Sequence, residues 1–213
     1  DRATITYAKI IKQLYPDVPL VIGGIEASMR RFSHYDYWDD KIRRSILFDS
    51  QADLIIYGMG ENQTIEICRR LSNGESIDTI TDVRGTCYSC PVRETPLTGA
   101  ECPSFENVCR SKKEYAVSCR IQQDEQDFFR GRAVRQRHGS RMLVQNQPAI
   151  PLSRQELDDV YALPYMRTYH PMYESEGGVP GIEEVRFSIA HNRGCFGGCN
   201  FCALAFHQGR TVR

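Results

Sequence analysis

Cys195, Cys199 and Cys202 lie in the run Asn192-Arg193-Gly194-Cys195-Phe196-Gly197-Gly198-Cys199-Asn200-Phe201-Cys202, three thiols within eight residues at the spacing C-x3-C-x2-C. A cubane iron–sulfur cluster is small, so a chain that presents three thiolates to its corners must curl tightly around it. Gly197 and Gly198 are expected to supply the positive φ angles of that curl. Three ligands leave one iron of a 4Fe-4S cluster open, whereas an electron-transfer cluster is closed by four cysteines. An open iron can bind a further molecule, so the spacing points to catalysis rather than to electron storage. The rival reading is zinc, with His207 as a fourth ligand. In that case the chain is a non-catalytic binding module, stabilised by zinc or by a cluster and associated with RNA if its arginines serve that purpose. Structural zinc sites, however, usually divide their ligands between two separated knuckles.

The chemistry suited to an open iron is that of radical S-adenosylmethionine (SAM) enzymes. There the amino and carboxylate groups of the methionine moiety chelate the iron, and one electron passed to the sulfonium breaks a C–S bond to give methionine and a 5′-deoxyadenosyl radical. Such an enzyme needs an electron donor, of the flavodoxin or ferredoxin kind. The substrate that loses hydrogen to the radical is not written in these residues.

An element must hold the loop. Val185, Phe187 and Ile189 alternate with Arg186, Ser188 and Ala190, which predicts a strand running directly into the cysteines. Further upstream, Ile5, Ala8, Ile11 and Leu14 recur at helical spacing until Pro16, and Pro19 to Gly24 reads as a buried strand entering a glycine turn. Ala52 to Gly58 repeats that strand pattern, and Gly60-Glu61 opens a helix through Leu71 that closes at Asn73-Gly74. Alternating helix and strand predicts an α/β fold with a partial doubly wound parallel sheet over residues 1–86. From 87 to 183 the periodicity weakens into a connecting region, with helices expected only near Arg110 to Val117 and Ser153 to Tyr161. Residues 184–213 would then begin a second domain. The chain opens without Met on residues that already read as helix, and it ends at Arg213 soon after the cysteines, so it reads as a fragment.

Several segments carry a more specific likeness. Glu184 to Ile189, Asn192 to Cys199 and Phe206-His207-Gln208-Gly209-Arg210 resemble the YgiQ family of radical SAM proteins. So do Gly23-Gly24-Ile25-Glu26-Ala27-Ser28, Tyr35-Asp36-Tyr37-Trp38, Ala52-Asp53 with Gly58-Met59-Gly60-Glu61, and Leu163-Pro164-Tyr165 with His170-Pro171. The resemblance implies a cobalamin-binding-like sheet followed by a truncated TIM-type barrel, whose first strand-to-helix loop bears the cluster, and it implies that Phe201 lies against the adenine of SAM. Cobalamin itself is not predicted: the Asp-x-His-x-x-Gly loop that ligates cobalt occurs nowhere in these 213 residues.

Other constellations carry weaker expectations. Gly58-Met59-Gly60-Glu61 is either a phosphate cradle at a helix N-terminus or, more commonly, a tight turn. Cys87 and Cys90 form a C-x2-C pair followed by Cys102, Cys109 and Cys119, a second metal site if the pair acts as a knuckle and ordinary thiols otherwise. Arg130, Arg132, Arg135, Arg137 and Arg141 beside Phe128 and Phe129 could track RNA phosphates, but Asp124, Glu125 and Asp127 stand ready to neutralise them. In the segment Arg30 to Asp40, His34 is a ligand contact or, more often for such a residue, a packed histidine. Lys plus Arg and Asp plus Glu both number 27, which excludes a global attraction to nucleic acid or anionic membrane. No run of about 18 apolar residues offers a membrane span, and no signal-peptide pattern opens the chain. Nine cysteines without a disulfide pattern then fit a reducing, cytoplasmic setting.

Overall fold

The computed structural model describes residues 2–96, 98–197, 199 and 201–213. Helix α1 (Ala3–Leu14) buries Ile5 and Ala8 and leads to β1 (Val21–Ile22), α2 (Gly24–Met29) and a hairpin of β2 (His34–Asp36) with β3 (Lys41–Arg43). Ser45 caps α3 (Ile46–Ser50) by accepting from the Leu47 N–H. Strand β4 (Leu54–Ile56), buried on both faces, then pairs parallel with β1, Val21 opposite Leu54. Helix α4 (Glu61–Ser72) packs Ile67 against Leu54, Ile56 and Ile80. Helix α1, strands β1 and β4 and helix α4 fall where the hydrophobic pattern places them, whereas α2, the β2–β3 hairpin and α3 occupy a segment for which it predicts no element.

Beyond residue 86 the structure departs from expectation, because the supposed connecting region builds most of the sheet. It contributes β5 (Thr86–Pro91), β6 (Ala100–Cys102), α5 (Phe105–Arg110), α6 (Lys112–Asp124), β7 (Val134–His138) and β8 (Arg141–Gln145). Among the described residues the main sheet has six strands in the order β1-β4-β5-β8-β7-β6. It is mixed rather than doubly wound parallel: β1·β4 and β6·β7 run parallel, while β4·β5, β5·β8 and β7·β8 run antiparallel. The reversal has a simple cause. Helix α4 leaves from the carboxyl end of β4, and residues 73–85 carry the chain back to that same end, where Tyr57 N–H donates to the Gly85 carbonyl (2.9 Å). Strand β5 therefore enters opposite Ile56, pointing the other way.

These later strands are hard to see in the sequence because their buried positions are partly polar. Gln136 and Gln145 are fully buried, and Gln136 is satisfied by the Ser33 N–H and hydroxyl and by the Pro103 carbonyl. A buried amide with its partners in place costs little, but it erases the apolar alternation that marks a strand.

Helix α7 (Arg154–Tyr161) starts at a capping box between Ser153 and Glu156, at the expected place. The strand expected over Val185 to Ala190 is absent. Helix α8 (Gly181–Val185) ends there, and Phe187 and Ile189 are 89% and 85% exposed. A strand needs a neighbour to satisfy its backbone, and no strand among the described residues pairs with this segment. The chain ends in α9 (Ala203–Gln208). Among the described residues, no helix is long and apolar enough to cross a membrane.

Candidate functional site

Because β1 and β4 run parallel, the turns that follow them share one edge of the sheet, and α9 sits on that edge against α2. Ser28 of α2 is fully buried and accepts the Gly58 N–H through its hydroxyl oxygen (3.0 Å), and the same hydroxyl lies 3.0 Å from His207 Nδ1. Gly58 has φ +72°, and a Cβ there would come within 3.2 Å of the His207 carbonyl. Only glycine allows both the left-handed turn and this approach. The Gly58–Glu61 turn is thus filled by the chain's own α9 and not open as a cradle. Arg193 adds an ion pair to Glu61 (2.6 Å) beside it.

Arg31, 1% exposed, lies between two rings, with its guanidinium carbon 4.3 Å from the Phe206 centroid and 4.7 Å from that of Tyr57. It donates through Nε to Gln145 Oε1 (2.6 Å) and through Nη1 to the Ser28 carbonyl. Burial lowers its pKa. Burial also lowers that of His207, helped by the positive charge of Arg31, so this histidine is neutral near pH 7.

The cysteine loop closes on itself. Arg193 and Arg213 exchange backbone hydrogen bonds, both 2.9 Å, Cys195 N–H donates to the Gly209 carbonyl (3.2 Å), and Gly194 N–H donates to Gln208 Oε1 (2.9 Å). Arg210 Nη1 donates to the Gly197 carbonyl (2.8 Å), and Cys202 N–H to the Cys199 carbonyl (3.3 Å) at the start of α9. The left-handed residues that permit this closure are Gly194 (φ +78°) and Gly209 (φ +89°). Gly197, expected to take a positive φ, does not; Gly198 lies outside the described residues. What Gly197 provides instead is room. A Cβ there would stand 3.2 Å from Cys195 Sγ and 3.9 Å from Cys199 Sγ, so the two thiols flank a space that any other residue would fill.

Cys195 and Cys199 are therefore brought together, and Cys202 stands at the N-terminus of α9. Among the described residues, no three His, Cys, Asp or Glu side chains are drawn close enough to hold a metal ion as they stand. The donor set, three thiols in one closed loop with space kept between two of them, still fits an iron–sulfur cluster. With His207 Nδ1 engaged by Ser28, a zinc ion completed by this histidine would have to be held through Nε2. Phe201 is 91% exposed, its ring free of any packing role.

The weaker constellations resolve mostly to ordinary roles. Cys87 and Cys90 lie three apart on β5 and so point to opposite faces of the sheet, which no metal knuckle allows. Burial pushes the thiols of Cys87 and Cys102 up to about 12, so both stay protonated. In the arginine run, Arg132 pairs with Glu125 and Arg135 with Glu101 (2.9 Å), while Arg141 donates to the Ser89 hydroxyl (2.6 Å). His34 is held 3.1 Å from the Phe32 carbonyl, and burial lowers its pKa. Arg31 was one residue among many in an aromatic and charged segment, and only the structure distinguishes it.

The molecule is thus a mixed α/β protein in which the parallel ends of β1 and β4 seat α9, the helix that follows the three cysteines. The family model described as "Radical SAM N-terminal" matches residues 1–188, and the chain belongs to that family. It is 55% identical over 213 residues to a "UPF0313 protein" of Clostridium botulinum (strain ATCC 19397), an alignment that covers 100% of this chain and 33% of that protein. A "UPF0313 protein" of Clostridium perfringens (strain ATCC 13124) is 54% identical over 213 residues, covering 100% of this chain and 32% of its own length. The chain spans about a third of the length of the curated relatives it matches. The cysteine loop falls beyond the family model but within both alignments. No solved structure matches the chain.

Proposed function

We propose that this chain is the part of a radical SAM enzyme that carries the cluster ligands, with Cys195, Cys199 and Cys202 holding a 4Fe-4S cluster. The observation that carries the reading is the pair of thiols flanking Gly197 inside a loop closed by Arg193 and Arg213. When bound, the cluster and SAM supply reductive C–S cleavage, yielding methionine and a 5′-deoxyadenosyl radical, with flavodoxin or ferredoxin as the class of electron donor. The chain's own residues hold the loop in place: Gly58 admits α9, Ser28 orients His207, and Glu61 fixes Arg193. Phe201 presents an uncovered ring two residues from Cys199, in keeping with a stacking role toward the adenine of SAM.

A second element of the reading is that residues 185–190, which form no strand here and leave Phe187 and Ile189 exposed beyond α8, become the first strand of a TIM-type barrel when further strands offer a pairing edge. A cytoplasmic setting suits a cluster with an open iron. The test is iron and sulfide analysis of the full-length protein after anaerobic reconstitution. Cys195→Ala, Cys199→Ala and Cys202→Ala should each lose the cluster, while Cys68→Ala and Cys119→Ala should keep it. Equal iron loss in all five variants would mean that the ligands lie elsewhere.

A further inference from the structure

Between α9 and the segment 148–151 lies a small pocket of about 80 Å³, with Arg31, His207 and Gln126 among its polar lining and no carboxylate. Three observations there point the same way. First, Arg31 is buried without a counter-ion: among the described residues no Asp or Glu pairs with it, and nothing accepts from its Nη2. A guanidinium taken out of water without an anion is costly, and its stacked rings offset only part of that cost. Because Tyr57 and Phe206 cover its faces, it can act only through its edge, the geometry in which it meets a carboxylate in plane. Second, Gln126 Nε2 is buried and has no hydrogen-bond partner. Third, no Asp or Glu lines the pocket, so no like charge there repels an anion. Arg31 Nη2 and Gln126 Nε2 thus each offer a proton that nothing among the described residues accepts.

We propose that this pocket binds the carboxylate of a small organic acid, received by Arg31 Nη2 with Gln126 Nε2 as a further donor. Phe128, Pro148 and Ile150 supply an apolar wall for an aliphatic body. None of the three cysteines lines the pocket, so binding is read in the cluster-free protein.

The test is calorimetric titration of the cluster-free, full-length protein with butyrate, with the isosteric neutral amide butyramide and inorganic phosphate as parallel arms. Butyrate should bind and butyramide should not. Arg31→Met should weaken butyrate by about tenfold or more, and Gln126→Leu by several-fold. Because Gln126 Nε2 has no partner to lose, Gln126→Leu should leave thermal stability unchanged, which keeps the test meaningful even if Arg31→Met fails to fold. Equal binding of butyramide, phosphate binding in place of butyrate, or unaltered affinity in Gln126→Leu would each overturn the proposal.

Discussion

Gly194→Ala is expected to open the cysteine loop. Alanine at φ +78° pays a backbone penalty of about 1–2 kcal/mol. Its Cβ would also run into the carbonyl oxygen of Thr211, a backbone atom that cannot swing aside as a side chain can. Relief requires Thr211 to retreat, which pulls on the reciprocal Arg193–Arg213 pair and forfeits at least one of its two hydrogen bonds, about 1 kcal/mol more. The loop should therefore lose about 2–3 kcal/mol. Gly209→Ala is the comparison without the clash, since Gly209, at φ +89° and ψ 177°, also favours glycine but has open space where its Cβ would stand, so only the conformational term applies. Native-state hydrogen exchange of the Arg193 and Arg213 amides in the full-length protein reads the difference. Protection should fall roughly tenfold further in Gly194→Ala than in Gly209→Ala, with the iron content after reconstitution following the same order. Equal protection in the two variants would refute the idea that the approach of Thr211 to Gly194 is what closes the loop.

His138 gives a pH prediction. It is packed between Phe48 and Phe105, its Nε2 meets Gln136 Oε1 at 3.2 Å, and its Nδ1 is buried without a partner. Burial lowers its pKa from 6.5 to about 4, so the unfolded chain binds the proton more readily than the folded one. Its contribution is complete above pH 6.5 and is lost as pH falls toward 4, a loss of about 3 kcal/mol. Urea denaturation at pH 7 and pH 4.5 should show a smaller drop for His138→Gln than for the parent, and equal drops would remove His138 as the cause. Phe201→Ala should weaken SAM binding by somewhat under tenfold, about 1 kcal/mol of stacking, with the iron count unchanged. SAM titration followed by the cluster's electron paramagnetic resonance signal checks it, and lost iron with normal SAM affinity would make Phe201 structural.

The parts of this molecule that could be read from sequence are those where a single physical rule dominates. Strands β1 and β4 are short apolar runs before glycine turns, α4 begins after Gly60, and Ser153 announces α7 by its capping box. The expectation for the thiols rests on their spacing alone, and the structure adds that Cys195 and Cys199 flank Gly197. Strands β7 and β8 were not, since Gln136, His138 and Gln145 occupy buried positions that only long-range partners such as Ser33 and Arg31 make tolerable. The strand expected at Val185 to Ala190 shows the converse: alternation is present, but alternation without a pairing edge does not make a strand. Gly197 was singled out for the wrong property, its freedom in φ, when the lack of a side chain between two sulfurs is what matters. Arg31 and Ser28 gain their roles only because residues more than a hundred positions away fold back onto them.

The reading of the cysteine loop is tested most directly by reducing the anaerobically reconstituted, full-length protein in the presence of SAM and measuring 5′-deoxyadenosine. About four irons per chain should bind at the loop and 5′-deoxyadenosine should form only with reductant, both being lost in Cys199→Ala. A protein loaded with that iron that leaves SAM intact, or one that takes up zinc and no iron, would contradict that reading.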